Sequence, residues 1–396
     1  VNITIVGGGF GGIKTALELA KNPHFVITLI TDKPDFQYYP ALYSAATGHS
    51  HLESWVPLDE IFAGKKNIHV QLDTIEKINP TQRSVTGKSG KAYSYDKCIL
   101  ALGSVTTYFG IDGLDSYAYG IKSADEIQRL KRHLYSDIAE KHIVEKHYVV
   151  IGAGPTGVEL AAALGSYIKR ICQQYGVENR TIHIDLIEAA PRVLPKMSEK
   201  TSAVVARRLK KLGVSVQTGQ AVQSATADAI MVNGKLIKSQ TIIWTSGVAN
   251  HPFYEANAEY FEFAKNGKIV VSDYMQTADG VYVIGDNAAT PYTGLAQTAL
   301  HDALYVAGHI RAIDQGGTPQ KYKAVLPPVV VPVGDRWAVF EWHRLRMYGW
   351  LASIIRRAAD FIGYSDMLPL GQALGVWRAS MVMEDDYLEP SEPRDE

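Results

Sequence analysis

One local unit occurs twice in this chain, and no other feature constrains its fold as much. Ile3-Thr4-Ile5-Val6 runs into Gly7-Gly8-Gly9-Phe10-Gly11-Gly12, after which Ile13, Ala16, Leu17 and Ala20 recur at helical spacing. A second strand, Phe25 to Ile30, ends at Thr31-Asp32. First glycine to first glycine, the same grammar returns 145 residues later. His147 to Ile151 leads into Gly152-Ala153-Gly154-Pro155-Thr156-Gly157, a helix-period segment follows, and Ile182 to Ile187 ends at Glu188. Each copy is strand, GxGxxG, helix, strand, acid. The first glycine permits the tight turn, the second lets backbone approach a pyrophosphate, and the third lets helix and strand pack closely. The helix N-terminus then offers free N–H groups to phosphate. The expected fold is therefore α/β, with two Rossmann-type dinucleotide-binding domains.

The residues of each unit carry separate expectations. Gly7, Gly9, Phe10, Gly11 and Gly12 are expected on one dinucleotide, with Asp32 on its adenosine ribose and the adjacent Thr31 as the alternative. Gly152, Gly154, Pro155, Thr156 and Gly157 are expected on the other, with Glu188 accepting the ribose 2′-OH. A carboxylate there repels a 2′-phosphate, which favours NADH over NADPH; Arg192, four residues on, is placed to soften that preference. Glu159 lies in the first turn of the second helix. It reads equally as a charge stabilised by the helix dipole or as a carboxylate near nicotinamide or flavin.

Three further strand-like runs end in small residues, where a cofactor approaches the carboxyl edge of an open sheet. Lys97 to Leu100 ends at Ala101-Leu102-Gly103-Ser104, Thr241 to Thr245 at Ser246-Gly247, and Val281 to Ile284 at Gly285-Asp286. Two dinucleotide folds in one chain suggest FAD beside a nicotinamide nucleotide, and Asp286 suits a hydrogen bond to a ribityl chain.

Composition excludes several classes. The 396 residues predict two to three domains. A net charge of −1 argues against a dedicated nucleic-acid binder. Cys98 and Cys172 form no CxxC, so no thiol redox pair and no metal site is read. No stretch approaches the roughly 18 apolar residues of a spanning helix. The first residues lack the features of a signal peptide, so the expectation is a soluble or peripheral intracellular protein.

The near-zero charge is a cancellation. Residues 384–396 carry a net −6, which leaves +5 on the rest. Four of six tryptophans (Trp337, Trp342, Trp350, Trp377) fall in the last 60 residues. After the proline-punctuated Pro327 to Pro332, the segment 342–364 is predicted as one amphipathic helix. Met347, Trp350, Leu351, Ile354, Ile355, Ala358, Phe361 and Ile362 form its apolar stripe, opposite Arg346, Ser353, Arg357 and Asp360. Such a stripe serves a membrane surface or a dimer contact, with packing on the core as the bland alternative. With Arg344, Arg346, Arg356, Arg357 and the pair Trp377-Arg378, residues 342–383 are expected to attach to a membrane surface.

Taken together, these motifs resemble the type II NADH:quinone oxidoreductases, single-subunit enzymes of the two-dinucleotide-binding flavoprotein superfamily. The resemblance rests on Val6 to Gly12, Tyr39 to Gly48, Ala101 to Ser104, Phe109 to Gly113, Gly154 to Ala161, Trp244 to Val248 and Ile284 to Asp286. Ala296-Gln297-Thr298-Ala299-Leu300-His301 resembles the family's Ala-Gln-x-Ala-x-Gln, with His301 replacing the second glutamine. The resemblance implies a glutathione-reductase-like arrangement. Residues 1–115 and 251–326 form the FAD domain, 116–250 the NADH domain, 327–383 the attachment or dimer segment, and 384–396 an acidic tail. It implies FAD-dependent oxidation of NADH with two-electron reduction of a membrane quinone, without proton pumping. Glu159, Gln297 and His301 are the implied catalytic residues, the last two at the quinone. The implied location is the cytoplasmic face of the cell membrane, ahead of the mitochondrial inner membrane. An NADH-dependent reductase with another acceptor, or a flavin-based NADH sensor that binds a partner, are the alternatives.

Overall fold

Two sheets carry the molecule, one parallel and one parallel but for an antiparallel edge strand, each built around one glycine unit. The structure, a computed structural model, describes residues 1–178 and 181–384. β1 (Asn2–Val6), buried beyond its first residue, passes into α1 (Phe10–Leu19) and then β2 (Val26–Thr31), parallel to β1. After the short α2 (Leu42–Ala46), β3 (Ile68–Leu72) extends the sheet beside β2, and β4 (Lys97–Leu100) pairs with the other edge of β1. α3 (Ala124–Tyr135) leads into the second unit.

That unit runs β5 (His147–Ile151), α4 (Pro155–Gln174), β6 (His183–Glu188), α5 (Glu199–Lys211), β7 (Val214–Thr218) and β8 (Ile242–Trp244). Its sheet has the order β7-β6-β5-β8, all parallel. The chain then returns to the first sheet with β9 (Gln276–Ala278) and β10 (Val281–Val283), completing the order β9-β10-β4-β1-β2-β3. α6 (Ala296–Asp314) packs along α1. Ser104–Thr106 and Val248–Asn250, where the chain leaves the first sheet and comes back, pair antiparallel and tie the two units together.

The apolar residues of β1, β2, β4 and β10 and the inner faces of α1 and α6 form one core, and those of β5, β6, α4 and α5 form another. Cys98 lies in β4 and Cys172 in α4, both fully buried, and burial pushes both thiols up and away from reactivity. Among the described residues no helix is long and apolar enough to cross a membrane.

The C-terminal segment departs from the expectation in two ways. The first residues of the predicted 342–364 helix belong instead to an antiparallel sheet of β11 (Val329–Pro332), β12 (Ala338–Trp342) and β13 (Leu345–Gly349). Gly349, at φ +97, turns the chain from strand to helix, so α7 covers only Trp350–Ser365, and α8 (Leu370–Ala379) follows. The second departure concerns the polar side of the helix, because an outward apolar stripe is what a surface-attaching helix requires. Trp350, Leu351, Ile354 and Ile362, half of the predicted stripe, point to solvent. Ala352, Arg356, Asp360 and Tyr364 turn toward the protein, with Tyr38 fitted against Gly363. Arg356, expected at a lipid surface, is therefore an interior residue. Of the acidic tail, Glu384 folds back to accept hydrogen bonds from the Ser50 hydroxyl (2.5 Å) and the His51 backbone N–H (3.0 Å); residues 385–396 lie outside the described residues.

Candidate functional site

The carboxyl ends of β1, β2, β4 and β10 open on a cavity of about 430 Å³. Gly7, Gly9, Phe10, Gly11, Asp32, Ala101, Leu102, Gly103, Gly285 and Asp286 all line it. Gly12 lies behind, where a Cβ would stand 1.9 Å from the Gly7 carbonyl oxygen, so its role is close packing. A Cβ on Gly9 would meet only open space, which leaves its backbone free for close approach by a ligand. α1 starts without a side-chain cap and without an acid in its first turn, so its free N–H groups suit a phosphate. The residues present fit a flavin dinucleotide.

The paired alternatives at the end of β2 lie in different settings. Thr31 is buried, with Oγ1 accepting from the Lys33 N–H at 3.3 Å, whereas Asp32 is exposed along the cavity edge. Asp286 Oδ2 accepts from Ser104 Oγ at 2.8 Å. The turn beneath it is held by Asp302, which the sequence did not single out. Asp302 is fully buried, with one oxygen on the Gly285 N–H (2.9 Å) and the other on the Tyr322 hydroxyl (2.6 Å).

The second unit repeats this design. Gly157 packs with no room for a Cβ, 1.8 Å from the Gly152 carbonyl oxygen, while Gly154 faces open space and α4 begins uncapped with Pro155. Gly152, Ser246 and Gly247 gather at the carboxyl ends of β5 and β8, and Ser246 Oγ lies where a Cβ on Gly152 would touch it. Glu188 accepts two backbone hydrogen bonds, from the N–H of Ala153 (2.6 Å) and of Ala190 (2.8 Å). Its carboxylate is thereby locked beside the glycine turn. The Arg192 guanidinium is consumed elsewhere, on the carbonyls of Met197 (2.6 Å) and Pro195 (2.7 Å) and the Ser202 hydroxyl (2.7 Å). Thr156 of this unit lines the first cavity, so the two glycine turns face a common space.

Glu159 stands apart from both turns, in a buried charged cluster under α7. Its Oε1 lies 3.4 Å from Arg356 Nη1. Arg356 also donates to Asp360 at 2.8 Å and to the Pro40 carbonyl at 2.7 Å, and the Tyr38 hydroxyl donates to Asp360 at 3.1 Å. Burial pushes Glu159 up to about 8, against the pull of Arg356. Glu53, nearby and buried, is also pushed up to about 8 by burial. The Tyr364 hydroxyl donates to the Glu53 carbonyl at 2.7 Å, so α7 closes this cluster from outside. Sequence reasoning put Arg356 at a lipid surface and Asp360 on the polar face opposite the stripe, and did not single out Glu53. Gly363 and Ala352, small residues on one side of α7, were the available signal of close packing on that side.

Gln297 and His301 share one face of α6, one turn apart, but it is not the face that lines the cavity; Ala296 and Ala299 do that. Gln297 is exposed in the first turn. His301 Nε2 lies 2.8 Å from the Lys323 carbonyl oxygen and the ring packs on Tyr322. A separate group, His133, Asp137 and Glu145, brings ligand-type atoms within 4.8 Å of one another. These atoms are engaged with Thr241, Lys141 and the Gln240 N–H, which pins α3 to the second sheet.

Comparison with known proteins assigns the family. The model of the pyridine nucleotide-disulphide oxidoreductase family matches residues 1–303. A type II NADH:quinone oxidoreductase of Mycobacterium tuberculosis is 30% identical over 341 residues, covering 80% of this chain and 73% of that protein. One from Staphylococcus aureus is 28% identical over 382 residues, 90% of this chain and 94% of that protein. The fold matches that of NDH2 from Plasmodium falciparum, solved with NADH, at a TM-score of 0.86 and 18% identity, over 98% of this chain and 99% of that one. With its two glycine units, their shared cavity and this similarity along most of its length, the chain belongs to the type II NADH:quinone oxidoreductases, within the pyridine nucleotide-disulphide oxidoreductase family.

Proposed function

We propose that this protein oxidises NADH and reduces a quinone, with FAD held in the cavity of the first glycine unit. The observation that carries the reading is Thr156, which brings the second glycine turn to the cavity of the first. FAD, when bound, supplies the two-electron step between the hydride donor and the quinone. The chain supplies binding and orientation. Uncapped α1 and α4 take the diphosphates, Asp32 the adenosine ribose of FAD, Asp286 the ribityl chain and Glu188 the ribose of NADH. A locked carboxylate at Glu188 and an occupied Arg192 both favour NADH over NADPH.

Quinol formation takes up two protons. Glu159, which holds its proton near neutral pH and is steadied by Arg356, is the proposed proton-holding group. Gln297, at the exposed start of α6, is the proposed quinone contact. His301, with one nitrogen on the Lys323 carbonyl, supports it from the next turn.

The quinone is reached from a lipid surface. Trp350, Leu351, Ile354 and Ile362 on α7, with Leu370 on α8, form an exposed apolar face beside Arg357 and Arg378. This face is the proposed peripheral contact with the cytoplasmic side of the cell membrane. Because the inner side of α7 fills the interior, the informative variant is not a deletion. Ile354→Asp with Ile362→Asp should release the protein from liposomes while leaving NADH oxidation by a water-soluble quinone analogue unchanged. Undiminished sedimentation with liposomes argues for another anchor, and a change in oligomeric state on ultracentrifugation argues for a dimer contact. Steady-state NADH consumption that does not depend on added quinone would overturn the activity itself.

A further inference from the structure

The cavity lined by the first glycine unit contains a buried cation that, among the described residues, makes no hydrogen bond to the protein. Lys122 lines it, in the turn just before α3. Its Nζ is closed off from solvent and has no hydrogen-bond partner among the described residues. Lys14, by contrast, lies within 3.2 Å of an Asp366 oxygen, and Arg356 is held by a carboxylate and a carbonyl. A desolvated ammonium with its hydrogen bonds unmade is costly even with carboxylates nearby, and a binding cavity is where a ligand can supply them.

The backbone around it is fixed from both sides. The Lys122 N–H donates to Glu126 Oε2, and the Gln37 side-chain amide donates to the Lys122 carbonyl. Ser123 caps α3 by accepting the Glu126 N–H at 3.2 Å. Gly120 lets the Glu126 carboxylate come in where a Cβ would stand 2.4 Å from its carbon. Burial lowers the affinity of Lys122 for its proton, and the charges of Glu126 and Asp286 oppose that loss. In the same cavity the uncapped N-terminus of α1 presents its N–H groups. Both features select an anionic oxygen.

We propose that Lys122 is a cofactor-binding residue, its ammonium pairing with an oxygen of the bound FAD, either on the diphosphate or on the oxygen edge of the flavin ring. This rests on the reading of the cavity as the flavin site. The test uses Lys122→Met and Lys122→Arg, with flavin removed from the purified protein and FAD or riboflavin titrated back by fluorescence. The midpoint potential of the rebound flavin is measured alongside. Lys122→Met should weaken FAD binding at least tenfold, and Lys122→Arg should restore most of it. A loss for FAD but not for riboflavin, with potential unchanged, assigns the diphosphate. A loss for both, with a lowered potential, assigns the ring. FAD affinity within twofold of the parent and an unchanged potential would overturn the proposal. So would a weakening that arginine does not rescue and that accompanies a lower melting temperature of the flavin-free protein. A parent protein that takes up no flavin refutes the reading of the cavity instead.

Discussion

Lys14 and Glu159 occupy the same step of the two glycine units, two residues past the third glycine, and both reach the C-terminal segment with opposite charge. Lys14 Nζ lies 3.2 Å from the Asp366 carboxylate, just beyond α7, and Glu159 lies 3.4 Å from Arg356, within it. The surroundings differ more than the distances. The Asp366 side chain is 40% exposed, whereas those of Glu159 and Arg356 are 8% and 12% exposed. The repeated grammar fixes backbone, glycines and helix start in both units. What the step beyond does is decided by the element laid across it, and here one helix is laid across both.

Removing each partner in turn should separate the two contacts. Arg356→Ala strands Glu159 and Asp360 in the interior and should cost about 3–5 kcal/mol of unfolding free energy in urea. The loss should be smaller at pH 6 than at pH 8.5, because Glu159 is protonated below about 8 and needs no counter-charge there. A loss under 1 kcal/mol at pH 8.5 would remove Arg356 from the role of positioning residue. Between the two acids proposed for ribose, Glu188→Ala should do more harm than Asp32→Ala to the choice of nucleotide. Its charged hydrogen bonds are worth about 1.5–3 kcal/mol each, so the kcat/KM preference for NADH over NADPH should fall roughly tenfold or more. An unchanged preference would reject the ribose role.

The buried acids make a prediction of opposite slope to an ordinary surface salt bridge. Glu53 and Glu159 hold their protons to about 8 in the folded chain but release them near the ordinary value of 4.5 when unfolded. The folded state therefore binds more protons in that window, and stability falls as pH rises through it. Glu53→Gln should flatten the fall of melting temperature between pH 5 and 8, and an unaltered slope would show that Glu53 ionises normally. The smallest effect belongs to Lys14→Ala. With Asp366 half in solvent, it should cost under about 1 kcal/mol, less again at high salt.

How much of this was legible follows from where the information lies. Gly12 and Gly157 have steric roles that any reader of strand and helix periods recovers, since a Cβ at either would collide with its own turn. The pairing of β1 with β2 and of β5 with β6 followed from them. The C-terminal helix did not read correctly, because the residues of β12 and β13 also place apolar side chains at intervals that suit a helix, and only the positive φ of Gly349 divides them. The stripe on α7 was visible and expected to face outward, but the sequence did not show that Arg356 and Asp360 pack inward. Tyr38, from a distant loop, supplies the Asp360 hydrogen bond that turns the polar side inward. Lys122 and Asp302 were invisible for the same reason, since their neighbours come from segments far away in sequence.

Two nucleotide sites that meet at one flavin should pass electrons from NADH on to a quinone. Anaerobic double-mixing stopped flow tests it most directly: the purified flavoprotein is mixed first with NADH, then with a ubiquinone or menaquinone analogue, while the flavin absorbance is followed. Bleaching by NADH, faster than by NADPH, followed by full recovery on quinone addition within the turnover time, is the expected result. Bleaching by NADH with no recovery over seconds of exposure to either quinone would contradict it.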